Sequence, residues 1–309
     1  VRAPPTLSSE YVKICDVYGA GYYYIPGTET CLKISGLVRY QISFSEDDDG
    51  WRKNALGRLN VDANSETELG TLAGHLRLES SVDSSNTSAN VELVHATISL
   101  GGLSMGLNDT AYDFGLDTSN LGGAEFDSYG GDSVHFVRYT FDAANGISAT
   151  ISLEEEHYDS DYVPNVVGAV NVAQGWGGLT VAVAYDDDDN TGADDEFFLK
   201  GVARINVNPQ LELALLGIYE SGNGFYSTGY EWSVGAYASY KATDKITLGL
   251  GGQYWADSHA VAGVDAWSIG GDVKYQIVSG FSTKLQVQYD DVDGVDGNFN
   301  GWLRFERSF

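Results

Sequence analysis

The sequence predicts an all-β fold: a sixteen-stranded antiparallel transmembrane β-barrel with its apolar face turned outward. Three observations carry this expectation. Hydropathy alternates with a period of two along nearly the whole chain. The connections between the alternating runs switch regularly between short and long. Charged residues sit on the face opposite the apolar one.

The first run, Leu32-Lys33-Ile34-Ser35-Gly36-Leu37-Val38-Arg39-Tyr40-Gln41-Ile42-Ser43-Phe44, has apolar residues or Gly at even positions and mostly polar ones at odd positions. That period belongs to a strand with one greasy and one wet face. Fifteen further runs follow, at 52–65, 69–81, 91–100, 103–108, 133–142, 147–157, 165–174, 178–186, 196–207, 211–220, 230–241, 245–256, 264–276, 281–290 and 299–309. Helical period is confined to residues 9–19, where Ser9 could cap a short helix through Val17. The expected organisation is a single unit over 1–309: an N-terminal segment 1–30 with that helix, then a barrel over 31–309.

Seven connections are short: 65–68, 101–102, 143–146, 174–177, 208–209, 242–244 and 278–280. Eight are longer and often acidic: 46–50, 82–90, 108–132, 158–164, 187–195, 221–229, 257–263 and 291–298. Strict alternation puts every tight turn at one end and every loop at the other, as an up-and-down barrel requires. Sixteen strands enclose a lumen too wide for side chains to fill. The lumen must then be wet, so the charged face (Arg39, Arg58, His75, Arg77, Lys200, Asp272, Arg304) belongs inside and the apolar face meets lipid. Aromatics near strand ends, among them Tyr40, Phe44, Tyr185, Phe197, Tyr219, Trp232, Tyr254, Tyr289 and Phe309, fit interfacial girdles. A soluble sandwich or propeller is the alternative architecture, but no blade repeat is present.

Composition narrows the function. The 17 Lys+Arg against 44 Asp+Glu give a net charge of −27. Such a field repels phosphate backbones and argues against nucleic-acid partners. Hydrophobic residues at 43% are too many for a disordered acidic tail. No stretch approaches the ~18 apolar residues of a membrane helix. The opening Val1-Arg2-Ala3-Pro4-Pro5 lacks the form of a signal peptide, so the chain is expected to be mature or never to have carried one.

The segment Glu10-Tyr11-Val12-Lys13-Ile14-Cys15-Asp16-Val17-Tyr18-Gly19-Ala20-Gly21-Tyr22-Tyr23-Tyr24-Ile25-Pro26-Gly27-Thr28-Glu29-Thr30-Cys31-Leu32-Lys33-Ile34-Ser35-Gly36 closely resembles the amino end of alphaproteobacterial general-diffusion porins. Asn64-Ser65-Glu66-Thr67-Glu68-Leu69-Gly70-Thr71-Leu72 resembles their first tight turn, and Ala96-Thr97-Ile98-Ser99-Leu100-Gly101-Gly102-Leu103 the turn before their constriction loop. Arg304-Phe305-Glu306-Arg307-Ser308-Phe309 ends in the terminal aromatic of outer-membrane barrels. The resemblance implies a water-filled channel of the bacterial outer membrane. It also implies a homotrimer among outer-membrane lipid and lipopolysaccharide, passing small hydrophilic solutes and ions by passive diffusion. By the same resemblance, 108–132, the third long loop, is the constriction loop folded inward.

That loop holds Asp109, Asp113, Asp117, Glu125, Asp127 and Asp132 and no base. Strand parity points Arg39, Arg58 and Arg77 into the lumen, with Lys33 and Arg304 nearby. Acids on one side and bases on the other would set a transverse field across the narrowest section. The surplus of acid leads us to expect a modest cation preference. Asp47, Asp48 and Asp49, and Asp291, Asp293 and Asp296, are candidates for weak calcium binding in the loops, although the last loop lacks the closing Glu of a calcium site and charge runs are usually solvated surface. No other cofactor is expected. Cys15 and Cys31, in an exported chain, are expected to form a disulfide worth ~3 kcal/mol; two free thiols or a metal site are the alternatives.

Two catalytic look-alikes lack their context. Gly102-Leu103-Ser104-Met105-Gly106 matches G-x-S-x-G, but that chemistry needs a strand-to-helix elbow and a hairpin stands here instead. Ser133 beside His135 does not amount to a triad. The chain is therefore not expected to be an enzyme, although a barrel enzyme of the outer membrane is kept as an alternative. A sugar-selective channel using Trp255 and Trp302 is another.

Overall fold

Cross-strand pairing takes the period-two segments round a closed ring. In the computed structural model, residues 13–47, 50–83, 89–114, 133–155, 163–187 and 195–309 are described. The strands are β1 (Tyr23–Tyr24), β2 (Cys31–Ser45), β3 (Arg52–Thr67), β4 (Gly70–Asp83), β5 (Glu92–Leu100), β6 (Leu103–Asp109), β7 (Ser133–Asp142), β8 (Ile147–Glu155) and β9 (Asn165–Gln174). They continue as β10 (Gly177–Asp186), β11 (Glu196–Asn208), β12 (Leu211–Glu220), β13 (Tyr230–Lys241), β14 (Ile246–Ser258), β15 (Ala266–Val278), β16 (Phe281–Val292) and β17 (Asn298–Ser308). From β2 onward, each strand pairs antiparallel with its sequence neighbours. The last strand, β17, closes on the first, from Asn300↔Ser45 through Arg304↔Gln41 to Ser308↔Leu37. These sixteen strands are the sixteen alternating runs, displaced by at most about two residues at most ends; β1 is a two-residue addition that pairs with β2.

The chain's end seals the ring. Gly36 and Phe309 exchange both backbone hydrogen bonds, at 2.9 and 3.0 Å. A Cβ on Gly36 would strike the Arg58 carbonyl and press on the Phe309 ring, so only glycine allows this closure.

Polarity is inverted relative to a soluble barrel. Val38, Ile98 and Leu250 on the outer face are 59%, 60% and 61% exposed, whereas Glu154, Lys200 and Glu220 on the inner face are fully buried. Only a lipid solvent makes the first group favourable. An aromatic girdle runs round the outer face at the loop end. Phe197 meets Tyr219 at 5.6 Å, Tyr219 meets Trp232 at 4.5 Å, Trp267 meets Tyr289 at 5.5 Å, and Phe299 meets Phe44 at 5.9 Å. The outward positions of β3–β6 carry no aromatic residue; Leu59, Leu72, Ile98 and Met105 stand there beside Gly57 and Gly74.

Over residues 13–19, the described part of the helix expected at 9–19, the chain is mostly non-helical. Residues 9–12 lie outside the described residues; among the described residues 13–19 the helical structure is a three-residue 3-10 turn at Asp16–Tyr18. The backbone bonds cross instead: Cys15 N–H donates to Tyr22 O (3.0 Å), Tyr24 N–H to Lys13 O (2.8 Å), and Ile14 bridges Tyr23. Gly19 and Gly21, at φ +98° and +92°, turn the chain back. The Cys15–Cys31 disulfide, Cα–Cα 6.0 Å, pins the hairpin to β2. A lone helical turn cannot offset its nucleation cost against cross-strand pairs held in this way.

Candidate functional site

The inner faces of β17 and β2–β5 carry Arg39, Arg58, Arg77 and Arg304 together with acids. Arg39 makes a two-pronged contact with Glu306, at 2.8 and 2.9 Å, across the β17–β2 closure. Arg58 meets Glu79 at 2.6 Å, cross-strand from it. Arg77 donates to Asn60 (3.1 Å) and lies 3.4 Å from His95. His75 pairs with Asp62 at 2.6 Å. Arg304 donates to Gln41 (2.8 Å) and stacks on Trp302, 4.1 Å from the ring centre. Lys33 lies nearer the tight-turn end, 5.5 Å over the Tyr22 ring.

The third long loop starts inside the barrel. Asp109, half-exposed at the end of β6, meets buried His95 at 3.1 Å, so this acid stands beside Arg77 and not across the pore from it. Thr110 and Tyr112 are then buried, and Ala111, Tyr112 and Phe114 pack on the inner faces of β9–β11 at Val167, Ala182, Ala184 and Phe198. Those strands carry an apolar inner face because a loop covers it. Asp113 lies on this first turn of loop, where its N–H donates to Thr110 O at 3.1 Å. Asp117, Glu125, Asp127 and Asp132 lie outside the described residues.

One carboxylate holds that loop start. Glu154, fully buried on β8, accepts from the Thr110 hydroxyl, from Ala111 N–H (2.8 Å), from Arg138 (3.1 Å) and from the Tyr226 hydroxyl (3.2 Å). Arg138 also donates to the Asp109 carbonyl at 3.0 Å. Tyr226 comes from loop 221–229 and is wedged between Tyr112 at 5.4 Å and Phe198 at 5.8 Å. Burial, reinforced by the Glu154 charge, pushes its phenol well above the ordinary value and keeps it a donor. Loop 221–229 is itself tied inward. Phe225 N–H donates to Asp186 at 2.7 Å, Thr228 N–H to Glu220 at 2.7 Å, and Ser227 also donates to Glu220. Glu154, Arg138, His95 and Tyr226 were missed in the sequence. Arg138 and Glu154 share the inward parity of β7 and β8, but nothing local marks Tyr226.

A third sector, β13–β17, is hydroxyl- and amide-rich. Gln253 donates to Ser233, Gln286 donates to Gln288 (3.1 Å), Gln288 donates to Asp290 (2.6 Å), and Lys284 pairs with Asp272 at 3.6 Å. Trp302 and Trp255 both lie here and both are buried. Arg304 covers the Trp302 face, and Trp255 lies 6.4 Å from Tyr230. These two rings therefore offer no open stacking track.

The catalytic look-alikes lie on strands. Ser104 is inside β6, and Ser133 on β7 donates to the Val94 carbonyl at 3.2 Å. Among the described residues, no three His, Cys, Asp or Glu side chains are grouped to hold a metal ion, and that includes Asp291, Asp293 and Asp296. Asp48 and Asp49 lie outside the described residues; Asp47 ends the described stretch before them.

The family model described as Porin subfamily matches residues 3–303. The chain belongs to this porin family. Porin Omp2a of Brucella suis biovar 1 is 33% identical over all of this chain and 93% of its own length. Among solved structures, the outer membrane channel DcaP of Acinetobacter baumannii superposes with a TM-score of 0.76 at 13% identity, covering 93% of this chain and 99% of that one. The trimer form of OmpT from Vibrio cholerae superposes at 0.69 with 15% identity, covering 91% and 100%. This porin is thus a multi-pass protein of the outer membrane, and its lumen is a water-filled channel.

Proposed function

We propose that this porin passes small hydrophilic solutes and ions by passive diffusion, with a modest preference for cations and no covalent chemistry. The observation that carries the sign is the pairing of the lumen bases. Arg39, Arg58, Arg138 and Lys284 each face a carboxylate within 2.6 to 3.6 Å. Positive charge on the wall is largely neutralised where it stands, so the surplus acid of a −27 chain sets the field at the mouth. That field acts within a Debye length of ~8 Å at physiological salt, which keeps the preference modest. The working assembly is a trimer: OmpT, which shares the fold, has a trimer form, and the aromatic-free outer face of β3–β6 offers a second copy a flat surface of small and aliphatic residues. A zero-current potential across a KCl gradient in planar bilayers tests the sign. A cation-side value supports the proposal, and an anion-side value refutes it.

A further inference from the structure

The N-terminal hairpin does not lie on the outside of the barrel. Tyr22 accepts from Asn64 Nδ2 at 3.3 Å, and its ring lies under Lys33 Nζ. Tyr18 donates to Glu66 Oε1 at 2.8 Å and packs against Tyr22 at 5.8 Å. Lys33, Asn64 and Glu66 share the inward parity of Arg39 and Arg58, because the β2–β3 register runs unbroken from Cys31↔Asn64 to Ser43↔Arg52. Both tyrosines therefore sit over the lumen wall at the tight-turn end, the periplasmic mouth. The hairpin stands on a buried disulfide and two cross-strand hydrogen bonds, and it walls a cavity of about 870 Å³ with Lys13, Tyr24 and Glu66.

We propose that this disulfide-clasped hairpin is a second narrowing of the channel, with Tyr18 and Tyr22 as its size-selecting shelf at the periplasmic exit. The described start of the third long loop leaves β6 at the opposite end of the barrel, so it and the hairpin stand in series along the channel. Lys33 and Glu66 are each held by a tyrosine at this exit, one under its ammonium and one through a hydroxyl donor. The shelf leans on the clasp: with Cys15 and Cys31 unlinked, only the short β1–β2 pairing and the tyrosine contacts hold the hairpin over the lumen.

The test uses the assembled protein in planar bilayers of known insertion sense, with graded polyethylene glycols added from either side. Tyr18→Ala/Tyr22→Ala should raise single-channel conductance above the parental value. It should admit larger polymers from the turn side and leave polymer entry from the loop side unchanged. Cys15→Ser/Cys31→Ser should do the same. The tyrosine variant retains the disulfide, so it decides the matter even where the cysteine variant does not assemble. Parental conductance and parental polymer exclusion from the turn side would overturn the proposal. So would an equal gain from both sides, which would place the change away from the periplasmic exit. A parental protein that does not conduct would count against the channel itself and not against the shelf.

Discussion

Glu154→Gln removes the single charge on which two loops converge. In the parent, Thr110, Ala111, Arg138 and Tyr226 all donate to that carboxylate, and none of it reaches solvent. Glutamine keeps one acceptor oxygen and turns an NH2 group on the remaining donors. Arg138 then loses its buried counter-charge, a change that costs about 3 kcal/mol or more. Separately, the loop start loses at least one hydrogen bond to a charged acceptor, about 1.5–3 kcal/mol, a roughly tenfold to hundredfold shift in the balance between its docked and undocked positions. Tyr226→Phe keeps the wedge between Tyr112 and Phe198 and loses one hydrogen bond, about 1 kcal/mol or roughly fivefold. The assay is open-channel noise and the voltage at which single channels close. Glu154→Gln should be much noisier and close at lower voltage, with Tyr226→Phe between it and the parent. A Glu154→Gln channel as quiet as the parent would refute the lock.

Three further outcomes are expected. Arg39→Gln/Arg58→Gln leaves Glu306 and Glu79 without their counter-charges, so the zero-current potential should move further to the cation side; no movement would remove these bases from the conduction path. Gly106→Ala should cost about 1–3 kcal/mol, because Gly106 sits at φ +135° and a Cβ there strikes the Ala96 carbonyl; an unchanged thermal transition in detergent would contradict this. Asp265, in the loop between β14 and β15, is held below the usual carboxylate range by the Tyr254 hydroxyl and then the Asp257 amide. A depressed value stabilises above the unfolded value and is lost as pH falls through the folded one, so pepsin should cut loop 257–265 slowly near the ordinary carboxylate range and faster only at more acid pH.

The strands were legible because lipid and water impose opposite demands on alternate side chains, and that demand is written locally in every run from Cys31 to Phe309. The lumen bases were legible for the same reason: Arg39, Arg58 and Arg77 needed only parity. What parity could not give is partnership. Glu306 lies 267 residues from Arg39, and only closure of β17 on β2 brings them together. Glu154 looked like one acid in the run Glu154-Glu155-Glu156, and Tyr226 like one aromatic in a glycine-rich loop; a contact between loops 108–132 and 221–229 has no local signature. The N-terminal segment misled because Ser9 to Val17 carries helix-like spacing, whereas the disulfide and the Gly19 and Gly21 turns favour a hairpin.

Single-channel conductance measured over a wide range of KCl concentration tests the central claim most directly. A lumen lined by paired charges and filled with water should give stepwise currents that rise in proportion to bulk conductivity, with a mild excess at low salt from the acidic mouth. Conductance that saturates with salt would mean a binding site controls passage, and the absence of discrete steps would contradict the open channel altogether.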